Sequence, residues 1–155
     1  MSKKKLAGII VGCVIVIAAI GTPLATPLSP KIITNYSSFL DYLRDSGASI
    51  RDKGETSRGL FYDAEYRIVE VDGISMQVYE FASAKDMEAN ASGVSPCGTQ
   101  ITKDWGDGKF TDTHIDWIGI PHFYKVGGII VIYIGDNYSI ISILQNGFGK
   151  QFAGM

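Results

Sequence analysis

The chain has 155 residues, of which 46% are hydrophobic, 11% aromatic and 19% charged. That is enough for one folded domain, too little for two of substance, and it excludes disorder and collagen-like repetition. Residues 31–155 carry 11 basic and 16 acidic groups, a net charge of −5, which argues against a nucleic-acid partner, because phosphates call for positive charge.

The N-terminus carries the strongest signal. Lys3, Lys4 and Lys5 precede the uncharged run Leu6 to Ile20, and the next charge is Lys31. A helix over residues 6–25 would measure about 30 Å at ~1.5 Å per residue, the depth of the hydrocarbon layer, with Pro23 ending the regular helix early. Lysines of this kind stay in the cytoplasm, which puts the rest of the chain outside. The leading reading is an uncleaved single-pass anchor in the cell membrane, with the lipid bilayer as partner through residues 6–21. A cleaved signal peptide ending at Ala19-Ile20-Gly21 would make the protein secreted instead. Ile10-Val11-Gly12-Cys13 resembles a lipobox, but the apolar stretch before Cys13 is short and an apolar run follows it; a buried core helix is the remaining alternative. Pro23, Pro27 and Pro30 make a semi-extended spacer suited to holding a domain off a membrane. The expected division is residues 1–21 as membrane anchor or signal segment, 22–35 as a Pro-rich spacer, and 36–155 as a single extracytoplasmic α+β domain.

Asn35 to Gly47 has polar caps, Tyr36, Phe39, Leu40 and Leu43 at helical spacing, and a glycine stop, and predicts a short amphipathic helix. Glu65 to Val71 and Ile74 to Phe81 are β-rich runs joined by Asp72-Gly73, a hairpin signal. Ile74, Met76 and Val78 point one way and Tyr79 and Phe81 the other, so both faces are expected to be covered. Ser83-Ala-Lys-Asp86 resembles a capping box before a helix to about Ala91. Gly93 to Thr113 reads as a long glycine-rich loop with a short strand at Thr99 to Thr102. A second hairpin has arms Ile115 to Lys125 and Ile129 to Ile134, joined at Val126-Gly127-Gly128; its second arm is almost continuously apolar, as a central strand would be. A last helix starts at Asp136, carries Ile140, Ile141, Leu144 and Phe148, and ends at Gly147 or Gly149. The predicted fold class is α+β: a mainly antiparallel sheet built from two hairpins, with helices packed on one face.

Chemistry-bearing residues are few. His114, Asp116 and His122 offer two imidazoles and a carboxylate that alternate along a strand and could meet a metal; Pro121, expected to break the strand before His122, works against a shared face. Asp104-Trp-Gly-Asp-Gly108, with Asp112 nearby, concentrates carboxylates but lacks the ligand register of a calcium loop, so it reads as a solvated turn. No nucleophile elbow, phosphate loop, dinucleotide fingerprint or zinc motif is present, and no cofactor is implied. Cys13 and Cys97 are the only cysteines. Cys97 reads first as a small buried apolar residue, then as an exposed thiol that forms dimers, then as a nucleophile. Three Asn-Tyr-Ser or Asn-Ala-Ser sequons, at Asn35, Asn90 and Asn137, matter only in a glycosylating host. Trp105, Trp117, His122, Phe123 and Tyr124 gather around the second hairpin and form the candidate ligand-binding group.

Phe39 to Gly47, Val71-Asp-Gly73 with Gln77 to Phe81, Ser95-Pro96, Trp117 with Pro121 to Tyr124, and Gln151 to Gly154 together resemble a family of small exported or membrane-anchored bacterial proteins with no established activity. The resemblance spans residues 36–154 and implies a bacterial origin and an exported location, with no ligand or catalytic residue to carry over. Cys97 departs from the family pattern, in which an acidic residue more often follows Ser-Pro. The function expected is a membrane-tethered, non-enzymatic extracytoplasmic domain that binds a protein or small-molecule partner. The alternative is a secreted hydrolase or metal-dependent enzyme using His114, Asp116 and His122.

Overall fold

The structure, a computed structural model, describes residues 32–155, with backbone alone over residues 55–58. The anchor or signal run, Cys13 and the three prolines of the spacer lie outside the described residues. No helix among the described residues is long and apolar enough to cross a membrane.

Helix α1 (Tyr36–Asp45) begins at a reciprocal cap: the Asn35 side chain accepts from the Ser38 backbone N–H at 2.9 Å, and the Ser38 hydroxyl accepts from the Asn35 N–H at 3.0 Å, so two of the orphan donors of the first turn are satisfied. Strand β1 (Ile50–Arg58) follows, then β2 (Glu65–Val71) and β3 (Ile74–Glu80). Asp72 (φ 51°) and Gly73 (φ 82°) both take left-handed backbone at the β2–β3 turn, the mirror-image turn whose twist matches that of paired strands. Helix α2 (Ala84–Ala91) is capped by Ser83, whose hydroxyl accepts from the Asp86 N–H at 3.1 Å. Strands β4 (Gln100–Gly106) and β5 (Lys109–His114) come next, then β6 (Pro121–Val126) and β7 (Ile129–Ile134), helix α3 (Tyr138–Phe148) and the two-residue strand β8 (Ala153–Gly154).

Six strands form one antiparallel sheet in the order β1-β2-β3-β7-β6-β8, and β4 with β5 form a separate two-stranded sheet. The two expected hairpins, β2–β3 and β6–β7, join through β3 and β7 to make the centre. The α+β class and the antiparallel sheet hold; the single helical layer does not. Helices α1 and α3 cover one face, where Phe39, Leu43, Ile140 and Leu144 pack against Val69, Val78 and Val131. Helix α2 covers the other, where Met87 and Ala91 pack with Phe81, Phe123, Ile101 and Ile130. The physical cause is β7: Ile129, Ile130, Val131, Ile132 and Tyr133 are all buried, and side chains that alternate across a sheet demand cover on both sides.

Other departures have equally local causes. The stretch read as a long loop with a short strand at Thr99 to Thr102 contains the whole β4–β5 hairpin, which turns at Asp107 (φ 52°) and Gly108 (φ 74°), a second Asp-Gly turn of the type at residues 72–73. The arm expected from Ile115 starts only at Pro121. Proline has no N–H to give to a ladder, and the first residue of a strand is where it is tolerated. The last helix is capped by Asn137 rather than Asp136: the Asn137 side chain accepts from the N–H groups of Ser139 (3.0 Å) and Ile140 (3.2 Å). Packing extends ahead of α1. Ile33 is 3% exposed within the α1/α3 core, and the Gly128 N–H donates to the Thr34 carbonyl at 2.9 Å.

That last contact makes Gly127 a constrained position. Its φ is +57°, and a Cβ there would stand 2.5 Å from the Thr34 oxygen and 2.6 Å from the Thr34 Cα, whereas Gly108 has the same backbone sign and nothing within 4 Å. Gly127→Ala is therefore expected to lower the melting temperature more than Gly108→Ala, which meets only the backbone cost of about 1–3 kcal/mol. Equal losses in calorimetry would show that the docking of Thr34 against the β6–β7 turn adds nothing to stability.

Candidate functional site

The five aromatic and imidazole residues expected to line one pocket are divided by the two-residue period of β6. Phe123 faces the α2 layer and Tyr124 the α1/α3 layer, and both are fully buried. His122, on the same side as Tyr124, stacks at 5.8 Å on Tyr133. Trp117 is half-buried; its indole N–H donates to the Gly98 carbonyl at 2.9 Å and its ring meets Phe123 edge-on at 5.8 Å. Trp105 stands apart on the β4–β5 hairpin, 53% exposed. Four of the five are core or support residues, and only Trp105 offers itself to a partner.

His122 is 7% exposed. Its Nε2 is 3.0 Å from the Gly135 carbonyl, and Nδ1 is 2.6 Å from the Gln151 side-chain amide. A carbonyl only accepts, so Nε2 carries a proton, while the amide can present either of its ends to Nδ1. Both ring nitrogens are thereby used to tie β6 to the β7–α3 turn and to the C-terminal segment. His114, at the end of β5, and Asp116, in the connection that follows, are exposed. Among the described residues, no three His, Cys, Asp or Glu side chains gather closely enough to hold a metal. The triad of the alternative reading is thus not brought together: two members face solvent and the third is occupied. The carboxylates near Gly108 serve the hairpin. Asp104 Oδ1 accepts from the Gly106 N–H at 2.8 Å, and Asp112 Oδ1 accepts from the Thr102 hydroxyl at 2.6 Å, which gives each a local partner in place of a common ion.

What the sequence reading did not anticipate is a groove of about 650 Å³ between the C-terminal end of α2 and β4, lined by Ala89, Ser92, Ser95, Gln100, Thr102 and Asp104 among others. Its wall is built by main-chain pairing: the Ser95 N–H donates to the Gln100 carbonyl (2.8 Å) and the Thr102 N–H to the Gly93 carbonyl (2.8 Å). The hairpin that forms its other side is pinned from beneath. The Lys103 ammonium pairs with the Asp63 carboxylate, and buried Asn90 donates to the same carboxylate at 3.1 Å and to the Asp86 carbonyl at 2.9 Å. Those two donors, Lys103 foremost, hold the Asp63 carboxyl below its ordinary value. Tyr62 then meets Trp105 edge-on at 5.3 Å. Further in, the buried Tyr79 hydroxyl accepts from the Leu60 N–H at 3.0 Å and donates to Gln77 at 3.1 Å; burial pushes its phenol up to about 12.

Beside the groove, Cys97 is exposed, which corrects the expectation of a buried apolar residue. Thr99 Oγ1 lies 3.0 Å from its Sγ and Ser95 Oγ 3.6 Å. Hydroxyl and N–H donors, Thr99 first, bring the thiol down from 9.0 to about 7, since they favour the thiolate. Alkylation of Cys97, followed by mass spectrometry of its peptide, should reach half its limiting rate near pH 7, and Thr99→Val should move that midpoint upward. A wild-type midpoint near 9 would mean that the hydroxyl does not reach the sulfur.

The histidines give a second test. His122→Leu leaves Gln151 and the Gly135 carbonyl short of a buried partner and is expected to cost roughly 1–3 kcal/mol, while His114→Gln, on the surface, should leave the melting temperature unchanged. Equal sensitivity of the two would contradict their different burial. No family model, no curated protein and no solved structure matches this chain.

Proposed function

We propose that this chain is a membrane-tethered extracytoplasmic domain that binds a protein or small-molecule partner and carries out no chemistry on it, with the groove between α2 and β4 as its binding surface. The tether rests on the three lysines, the apolar run of residues 6–20 and the proline spacer, and the resemblance to small exported bacterial proteins points to the same location. The observation that carries the binding role is the groove itself, a concave surface with both polar and apolar walls supported by a pinned hairpin, the setting in which loops are commonly recruited for recognition.

Its electrostatics narrow the ligand class. The carbonyl end of α2, which bears partial negative charge, opens beside it with no basic residue in the last turn, and Asp104 adds a carboxylate. Lys103 is engaged by Asp63. Hydrogen-bonding ligands that are neutral or cationic suit this surface, and phosphate esters do not.

Ser92 is exposed and has ordinary right-handed backbone (φ −64°), so Ser92→Trp fills the groove without backbone strain. In calorimetric screening of the full chain in detergent micelles, a ligand that binds the native state raises the melting temperature by mass action. Neutral or cationic compounds should give such rises with the wild type and lose them with Ser92→Trp. Rises that persist in the variant, or that come chiefly from phosphate esters, would move the binding surface elsewhere.

A further inference from the structure

We infer that the tip of the β4–β5 hairpin docks on the surface of the lipid bilayer, with Trp105, Phe110 and Tyr62 as the inserted side chains. This rests on the tethered reading above and adds to it a specific orientation of the domain.

Trp105, Phe110 and Tyr62 are 53%, 67% and 43% exposed. Tyr62 and Trp105 have ring centroids 5.3 Å apart on the face of the hairpin that Thr111 shares, and Phe110, which pairs with Asp104, stands on the opposite face beside the same turn. Large aromatic side chains are thus left in water on both faces of one projecting turn, an arrangement that edge-on insertion of the tip would bury on both sides. They are also the residues suited to the boundary between headgroups and acyl chains, since the indole N–H of Trp and the hydroxyl of Tyr stay hydrated while their rings are buried. The Trp105 N–H has its partner already, donating to Thr111 Oγ1 at 3.0 Å, so insertion strands no donor.

The place where the chain enters the domain supplies the occupant. Thr34 is bonded to Gly128 at the β6–β7 turn, and Gly128 also accepts from the Phe81 N–H. The start of β2, the end of β3, the end of β6 and the start of β7 all lie at that end of the sheet. The 59–64 loop, which carries Tyr62, leads into β2 at this same end, and Asp63 and Tyr62 hold Lys103 and Trp105 against it. Ile32, 79% exposed, is the first described residue there. Between the apolar run and Ile32 lie residues 21–31, which reach about 34 Å at ~3.1 Å per residue when extended. A domain of this size has a radius of gyration of about 14 Å, so the spacer keeps the entry end within about one domain width of the bilayer. The hairpin tip and the tether therefore face the same surface. Lys103 and Lys109 are outnumbered by Asp104, Asp107 and Asp112 on the hairpin, and this points to a zwitterionic lipid interface rather than attraction to anionic headgroups.

The test uses the full chain reconstituted in phosphatidylcholine vesicles, with and without lipids brominated near the headgroup end of the acyl chain. Subtracting the emission of a Trp105→Phe chain isolates Trp105 from Trp117. Docking predicts that the Trp105 emission shifts to the blue, is quenched by the brominated lipid and is protected from acrylamide, and that Phe110→Asp reduces the quenching while the chain still floats with the vesicles. If the chain floats but Trp105 is open to acrylamide and untouched by bromine, docking is wrong and the tether stands. If Trp105 is protected from acrylamide without bromine quenching, a second copy covers it and docking is again wrong. A chain that fails to float overturns the tether and this orientation together.

Discussion

Every layer of this molecule depends on one strand that has no polar side. Strand β7 runs Ile129 to Ile134, and five of its side chains in succession are buried. Each is worth roughly 1.5–3 kcal/mol when removed from water, so uncovering either face of β7 would forfeit an amount comparable with the entire net stability of a small domain, about 5–15 kcal/mol. The strand has to be central, with β3 and β6 as neighbours, and the sheet has to be covered twice. The division of three helices between two faces follows, and so does the position of the 59–64 loop, whose Phe61 packs edge-on against Tyr79 at 4.9 Å and Phe81 at 5.7 Å. That loop in turn fixes the hairpin that frames the groove. Function, on this reading, hangs from the packing needs of six residues.

The parts of the fold that could be read in the sequence are those whose stabilising contacts are local. Asn35 and Ser83 cap α1 and α2 through hydrogen bonds three residues ahead, and Asp72-Gly73 closes β2 on β3 with two left-handed residues. The elements that escaped notice are held by distant partners. Strand β1 begins with Ile50 and thereafter has no apolar residue; it is a strand because β2 offers a ladder, and Glu70 draws in Lys53 and Arg51. Strand β4, anticipated only at Thr99 to Thr102, and β5 surround an Asp-Gly turn as clear as the first, but their flanks are polar, because Lys103 and Trp105 are held by Asp63 and Tyr62, some forty residues earlier. Strand β8 has two residues, too few for any period.

The candidate site was legible only in part, for the same reason. Proximity in sequence grouped Trp105 with Trp117, His122, Phe123 and Tyr124, yet consecutive residues of a strand point to opposite faces, and 122, 123 and 124 were bound to part company. Burial then consumed most of them: an aromatic residue beside an apolar central strand is a core residue first. The groove has no sequence signature, since its walls are small, polar and charged residues in no fixed spacing, together with main chain, brought together by the Gly93–Thr102 and Ser95–Gln100 pairings. Cys97 differed from expectation because its neighbours are hydroxyls in a turn that faces solvent, not the apolar side chains in which a lone thiol is usually found.

The last few residues act as a clasp. Gly154 donates its N–H to the Pro96 carbonyl and the Met155 N–H donates to Pro121, while Phe152 donates to Phe123 and Gln151 reaches His122. One short segment thus closes the outer edge of β6 and fastens it to the turn that bears Cys97. Without this segment His122 and Phe123 would lose their ladder partner, and the edge of the main sheet would lie open, next to its most apolar strands, to pairing with another polypeptide. Protection of that edge is therefore concentrated in residues 151–155.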